Sequence, residues 1–384
     1  MAFALVGFAA GCGDDDDDLA NPGGKAGSSG SAGSAGGGSA GSGGLSDTEE
    51  KALTKSLHAQ ILTEATALKT AAIELCDAAP ADAAGWNDAT TVDAMKAAWA
   101  KTRSPYERIE GVIAPLFPEV DAAIDERYDG FMEELNAEGG DPNLFDGEGV
   151  TGMHAIERIL YKDVGGTVLS DEEAAVGQYY TAPAYPATDA EANDFKTKLC
   201  AQLVADTTNL ETQWNALKQP DGNVVFNLGE AYQGLLDLVA EQKEKVNNAS
   251  TRLDESRYSQ RTMADLRQNL AGVKASYALF APLLKARPNA TNAELDGVAI
   301  DAAITKAITD LEATFATVSG DAIPEAPEDW PSEGEPSTEQ LATAFGKLFA
   351  AVSNAVDVDI EGSLGHELEE AAEVLGIQLP VATL

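Results

Sequence analysis

The chain of 384 residues carries 64 Asp and Glu against 25 Lys and Arg, a formal net charge of -39 with a pI near 4.1. A field of that sign repels phosphate backbones and anionic headgroups, which argues against nucleic-acid binding, and it concentrates cations even where its main use is solubility. The length and a hydrophobic content of 44% allow two domains of ordinary size, and only 6% aromatic residues beside abundant Ala, Leu and Glu favour helices.

Residues 1–12, Met1-Ala2-Phe3-Ala4-Leu5-Val6-Gly7-Phe8-Ala9-Ala10-Gly11-Cys12, form an apolar run too short to span a bilayer that ends on small residues before a cysteine. The run resembles the end of a bacterial lipoprotein signal peptide, with Cys12 at the lipidation position. No Lys or Arg precedes it, so the true start is expected upstream of Met1. Residues 13–45 hold Asp14 to Asp18 and then Gly, Ser and Ala, with almost nothing that can pack: a disordered, flexible tether. Together these segments predict a cell-envelope lipoprotein, facing the periplasm or the cell surface, that touches the membrane through its lipid anchor only.

Order is expected from Ser46-Asp47-Thr48-Glu49, a capping box before a periodic run through Leu53, Leu57, Ile61, Leu68 and Ile73. The first helix is therefore predicted from Ser46 to about Ala78, followed by a loop carrying Trp86 and a second helix from Thr91 or Val92. Ser104-Pro105 is expected to break or kink that helix and to start a new turn, which would project Glu107 and Glu110 near a helix N-terminus. Pro115 and Pro118 should end that piece. Asp121 and Asp125, four residues apart, fall on a further helix to about Leu135, and a glycine-rich acidic loop follows to Thr151.

A helix from Met153 to about Lys162 is predicted next, then irregular chain from Gly165 to Thr188, and one long helix from Asp189 to Lys218. Beyond the Pro220-Asp221-Gly222-Asn223 turn, periodic runs at Leu228–Val246, Thr262–Ala286, Asn292–Val318 and Ser337–Val356 precede a closing helix after Val358. No period-two pattern persists beyond a few residues. The fold expected is all-α, two packed helical bundles over 46–220 and 221–384. Cys76 and Cys200 permit one disulfide in an exported protein, and two separate buried thiols are the other reading.

Two polar pairs interrupt the apolar stripes. His154 and Glu157 stand three residues apart on one helix face, and Glu107 and Glu110 repeat the spacing, so each pair could close on one ion as exposed ligands. With His58, His154 and His366 the only imidazoles, a histidine-rich zinc site is excluded. An oxygen-rich site with one imidazole remains, which suits iron first and then manganese, calcium or zinc. Asp121 and Asp125 would add carboxylates, although a solvated helix face explains them equally well. Neither His-Glu-x-x-His nor its inverse occurs, so the common zinc-peptidase layout is absent.

Thr151-Gly152-Met153-His154-Ala155-Ile156-Glu157 resembles the Gly-x-His-x-x-Glu signature of the imelysin family, and within it the EfeO-type periplasmic iron-uptake proteins. Tyr106-Glu107-Arg108-Ile109-Glu110 with Asp121 to Asp125 is similar to the acidic helix before that signature. Arg257-Tyr258-Ser259, continued by Asp265, Asn269 and Gly272, resembles a segment opening the second bundle's core helix. The resemblance implies an exported pair of helical bundles with a metal site at His154, Glu157, Glu107, Glu110 and Asp125. It implies a further acid from the second half, with Glu230 and Asp237 as candidates. Gln260 stands where the EfeO type has histidine, and the tether takes the place of a cupredoxin domain. The function implied is capture of iron and its delivery to a membrane permease or another iron-uptake component, without catalysis. An imelysin-type metallopeptidase and a non-catalytic interaction scaffold are the alternatives.

Overall fold

The computed structural model of the chain describes residues 44–126, 128, 143–164, 166–175, 180–331 and 334–380. The signal-like segment, Cys12 and nearly all of the tether lie outside them. Among the described residues the protein is all-helical, with no strand beyond an isolated bridge between Lys218 and Val224.

Helix α1 (Asp47–Ala78) starts at the expected capping box: the Ser46 hydroxyl accepts from the Glu49 amide, and the Glu49 carboxylate accepts from the Ser46 amide. Its apolar stripe packs between α3 (Ala89–Glu107) and α9 (Cys200–Ala216). Short α2 (Ala83–Trp86) occupies the expected loop. Cys76 on α1 and Cys200 at the head of α9 are joined as a disulfide, closing a sequence separation of 124 residues. A loop that long removes about 4–5 kcal/mol of unfolded-chain entropy in the chain-entropy model.

Helix α3 does not stop at Pro105; it runs on to Glu107 and breaks at Arg108–Ile109 before α4 (Glu110–Leu116). Glu107 therefore ends one helix and Glu110 begins the next. Buried Thr102, Arg103, Tyr106 and Glu107 hold the last turn in place, so packing outweighs the missing Pro105 N–H and the break comes late. Pro118 starts α5 (Pro118–Asp125), as its fixed φ favours. That helix ends at Asp125; the continuation expected to Leu135 falls largely outside the described residues.

Gly152 opens α6 (Gly152–Leu160) at φ +81°, and a Cβ there would lie 2.7 Å from the Ile124 carbonyl oxygen. Only glycine allows both that backbone and that approach to the end of α5. All nine residues of α6 are buried. The segment expected to be irregular after Gly165 contains α7 (Gly166–Ala175), fastened to the core by buried Glu173, which accepts from Arg158 Nε at 3.2 Å and from the Tyr258 hydroxyl. The expected helix from Asp189 is divided into α8 (Asp189–Asp194), a π-turn over Phe195–Leu199, and α9.

The second half contributes α10 (Leu228–Asn248), α11 (Thr262–Lys285), α12 (Gly297–Ala316), α13 (Thr338–Leu341), α14 (Ala344–Val356) and α15 (Leu364–Leu375). Helix α10 crosses α4 at two glycines: a Cβ on Gly234 would stand 1.8 Å from the Gly111 carbonyl oxygen. The described residues form one compact unit, and the apolar core runs without interruption from Leu57 and Trp99 to Leu238 and Phe280. The glycine crossing brings the acids of α3–α4 against α10, and the site lies there. No helix among the described residues is long and apolar enough to cross a membrane.

Candidate metal centre

Five segments converge on one buried polar cluster. Helix α6 presents His154 and Glu157, the end of α5 presents Asp125, and the α3–α4 break presents Arg103, Glu107 and Glu110. Helix α10 presents Glu241 and Lys245, and the turn into α11 presents Glu255, with Asp265 and Asn269 following on α11. His154, Glu107 and Glu157 are fully buried, which corrects the expectation of exposed ligands.

The helix spacing brings His154 and Glu157 together, but they close on each other. His154 Nδ1 lies 2.7 Å from Glu157 Oε2, and Glu157 Oε1 accepts from the Ser259 amide at 2.8 Å. Glu157 thereby fixes the ring orientation, as carboxylates behind metal-binding histidines do. The other nitrogen, Nε2, faces Glu255 Oε1 at 3.2 Å and Asp125 Oδ1 at 3.5 Å. Donor atoms of Asp125, His154 and Glu255 all lie within 4.8 Å of one another, close enough for a single ion to reach all three.

Two cations balance the acids. Arg103, 3% exposed at its side chain, pairs with Glu107 and Asp125 and reaches Glu255 at 3.0 Å. Lys245 Nζ lies 3.2 Å from Glu110 and 3.6 Å from Glu255. Asn269 Nδ2 donates to Glu107 Oε2 at 2.7 Å and Glu110 Oε2 at 2.9 Å. Burial pushes Glu107 well above the usual carboxylate range although Arg103 opposes it, and burial likewise raises Glu110 against the pull of Lys245. Glu255 goes the other way. Burial disfavours its charge, but Lys245, the His154 hydrogen bond and Arg103 together hold it well below the ordinary value. For His154, burial opposes the imidazolium, yet Asp125 and the hydrogen bonds of Asp125 and Glu157 raise it well above the usual value. A metal ion at Nε2 would replace that proton.

Asp265 adds an unfilled acceptor. Its Oδ2 is buried without a hydrogen bond of normal geometry, and burial, opposed by Arg103 and Ser256, lifts its titration to about 6. A buried orphan beside three convergent donors fits a site built for a further charged species. The cluster opens to solvent through a cleft of about 310 Å³ whose charged lining is Glu110, Asp121, Asp125, Glu126, Glu241, Glu244 and Glu255, with Lys245 as the single base. Such a mouth concentrates cations.

A sequence model of the imelysin family, peptidase class M75, matches residues 56–341. The chain belongs to the imelysin family. Among curated relatives, the iron uptake system component EfeO of Escherichia coli K12 is 28% identical over 198 residues, which cover 51% of this chain and 40% of that protein. The EfeO of Shigella flexneri matches to the same extent. The aligned segment thus spans less than half of these relatives' length. Two solved structures share the fold: a Parabacteroides distasonis protein assigned as an iron-regulated protein A precursor and an imelysin-like protein from Psychrobacter arcticum. The first has a TM-score of 0.51 at 15% identity and covers 87% of this chain and 96% of its own. The second has 0.50 at 16%, with 88% and 98%.

Within this imelysin chain, the further acid expected from the second half is neither Glu230 nor Asp237. Glu230 lies in the first turn of α10, its amide donating to the capping Asn227 side chain, and Asp237 is exposed and accepts from Gln233. The acid that reaches His154 is Glu255, two residues before the Arg257-Tyr258-Ser259 segment. Extending that motif upstream would have found it. Arg103 stands four residues before Glu107, a spacing that also signals a pair. Gln260 turns away, its amide donating to the Arg257 carbonyl at 2.6 Å. His58 is a core residue, stacked on Trp214 and bonded to its carbonyl at 2.8 Å.

Proposed function

We propose that this imelysin is an exported metal-capture protein that takes iron as cargo at Asp125, His154 and Glu255 and passes it to a membrane component of an iron-uptake system. The observation that carries this reading is the convergence of one imidazole nitrogen and two carboxylates at the floor of an acidic cleft. A nitrogen and several hard oxygens suit ferrous or ferric iron, then manganese, zinc or calcium. The likeness to iron uptake system components, over part of their length, supports the same cargo. Glu157 acts behind His154, while Glu107 and Glu110 set the charge of the cluster through Arg103 and Lys245.

In this reading residues 1–12 deliver the chain to the envelope, Cys12 carries the lipid, residues 13–45 hold the helical body off the membrane, and two bundles divide near Pro220. A permease or another uptake component would receive the ion. The test is metal analysis of protein purified without chelator, followed by titration with Fe(II) under anaerobic conditions. About one tightly held equivalent is expected, falling at least tenfold in His154→Ala and Asp125→Ala. Equal occupancy in those variants, or no retained metal in the unaltered protein, would overturn the site. The peptidase class attached to the family supplies a second reading, checked by assaying cleavage of unfolded protein substrates with the same metal-loaded preparation.

A further inference from the structure

Lys245 has more acceptors than it can use. Six oxygens surround its Nζ: Glu110 Oε1 and Oε2 at 3.3 and 3.2 Å, Glu241 Oε1 and Asn269 Oδ1 at 3.5 Å, Glu255 Oε2 at 3.6 Å and Glu107 Oε2 at 3.8 Å. An ammonium offers three hydrogens, so at least half of these oxygens receive charge without a directed bond. Oxygen ligands numbering six or more are what hard divalent cations gather. The cage matches such an ion in the number and kind of its oxygens, which would close in from the 3.2–3.8 Å they keep about the ammonium to the roughly 2.0–2.6 Å a divalent ion takes.

Its position reinforces the point. Glu255 spans both places, turning Oε1 to His154 and Oε2 to Lys245. The lysine, though buried, also lines the cleft together with Glu244 and Asn248, so its flexible stem has space to swing into.

We propose that the Lys245 ammonium is a tethered stand-in for a second cation, and that an incoming divalent ion displaces it from Glu110, Glu241, Glu255 and Asn269. This rests on the metal-capture reading for the first ion and adds a second position bridged to it by Glu255. The displaced ammonium keeps its charge and moves into the acidic cleft. The lysine thus sets how readily the second position fills, because each entering ion must compete with it.

The experiment titrates the full chain with Mn(II) in chelator-free buffer, counting bound ions by electron paramagnetic resonance and following thermal unfolding. In Lys245→Met the second equivalent should bind at least tenfold more tightly than in the unaltered protein. Metal-free Lys245→Met should melt at a lower temperature, and Mn(II) should restore it more than it shifts the unaltered protein. Glu241→Gln, at a partly exposed carboxylate, should weaken the second equivalent while the first stays bound. One tight ion in both the unaltered protein and Lys245→Met would sink this proposal and leave the capture reading standing. No ion in either would sink the capture reading. If Lys245→Met fails to fold even with Mn(II), an unchanged second equivalent in Glu241→Gln overturns the proposal on its own.

Discussion

The molecule carries two histidine–carboxylate groups of similar composition and opposite construction. Around His154, five segments supply donors, nearly every charged group is buried, and Arg103 and Lys245 offset the acids. Around His366, Glu367 and Glu370, one helix supplies all three residues, His366 and Glu370 keep about a quarter of their side-chain surface, and the charges acting on the two acids are His366 and further acids. Proximity of ligand atoms is common to both. The difference is what enforces it: the inner group is held by the packing of the whole fold and the outer one by a single helical turn. A group that survives only because the fold encloses it is expensive to keep, and its presence calls for a function.

The comparison breaks most sharply at Arg103. Its replacement by Ala leaves Glu107 fully buried with Asn269 and the more distant Lys245, and deprives Asp125 of its guanidinium partner, leaving it the His154 ring at 3.5 Å. Breaking a buried pair from one side costs about 3–5 kcal/mol. Chemical denaturation of Arg103→Ala should show that loss, and paired removal of Glu107 and Glu110 should cost less, because Arg103 keeps Asp125 and Glu255 and Lys245 keeps Glu241 and Glu255. A loss under 1 kcal/mol in Arg103→Ala would mean that the cluster is hydrated and the contrast with the outer group is false.

Much of the inner group could be read from the chain, and what escaped did so for physical reasons. His154 and Glu157 share a helix, so a spacing of three places them on one face whatever the tertiary structure. The capping box at Ser46 is equally local. Glu255 sits in a turn, where no period predicts direction, and only the packing of α11 against α3 carries it to His154. Lys245 and Arg103 look like ordinary surface charges on amphipathic helices, since the sequence does not show that α4 and α10 cross at Gly111 and Gly234. The late break after Pro105 and helix α7 escaped for the same reason. Burial of Glu107 in one case and Glu173 in the other outweighs the local signals of proline and glycine.

Next in size is the role of Glu157. Because it orients His154 from behind, Glu157→Gln should keep the fold and retain a hydrogen-bond acceptor for Ser259, yet lower iron affinity. Losses behind metal-bound histidines run to about 10–100-fold. Isothermal titration with Fe(II) under anaerobic conditions measures this. Complete loss of binding together with loss of helicity would instead make Glu157 part of the structural core. A change below twofold would remove it from the site.

The smallest effect is expected at the outer group. His366 donates through Nδ1 to the Val358 carbonyl at 2.7 Å, and its Nε2 meets Glu370 at 3.3 Å, but both contacts lie at the rim of α15. The backbone bond to Val358 raises the imidazole's titration, with Glu370 and Glu367 adding to it against slight burial. A raised histidine contributes stability that is present below its unfolded value and is lost as pH rises through the folded one. Any contribution from His366 should therefore be seen at mildly acid pH and vanish above it. Exposed substitutions usually remain within about 0.5 kcal/mol. His366→Ala should match the unaltered protein in denaturant midpoint at pH 8, show at most that small loss at pH 6, and keep its iron occupancy within twofold. A tenfold fall in occupancy would show that the outer group also holds cargo, and that enclosure by the fold is not what separates the two.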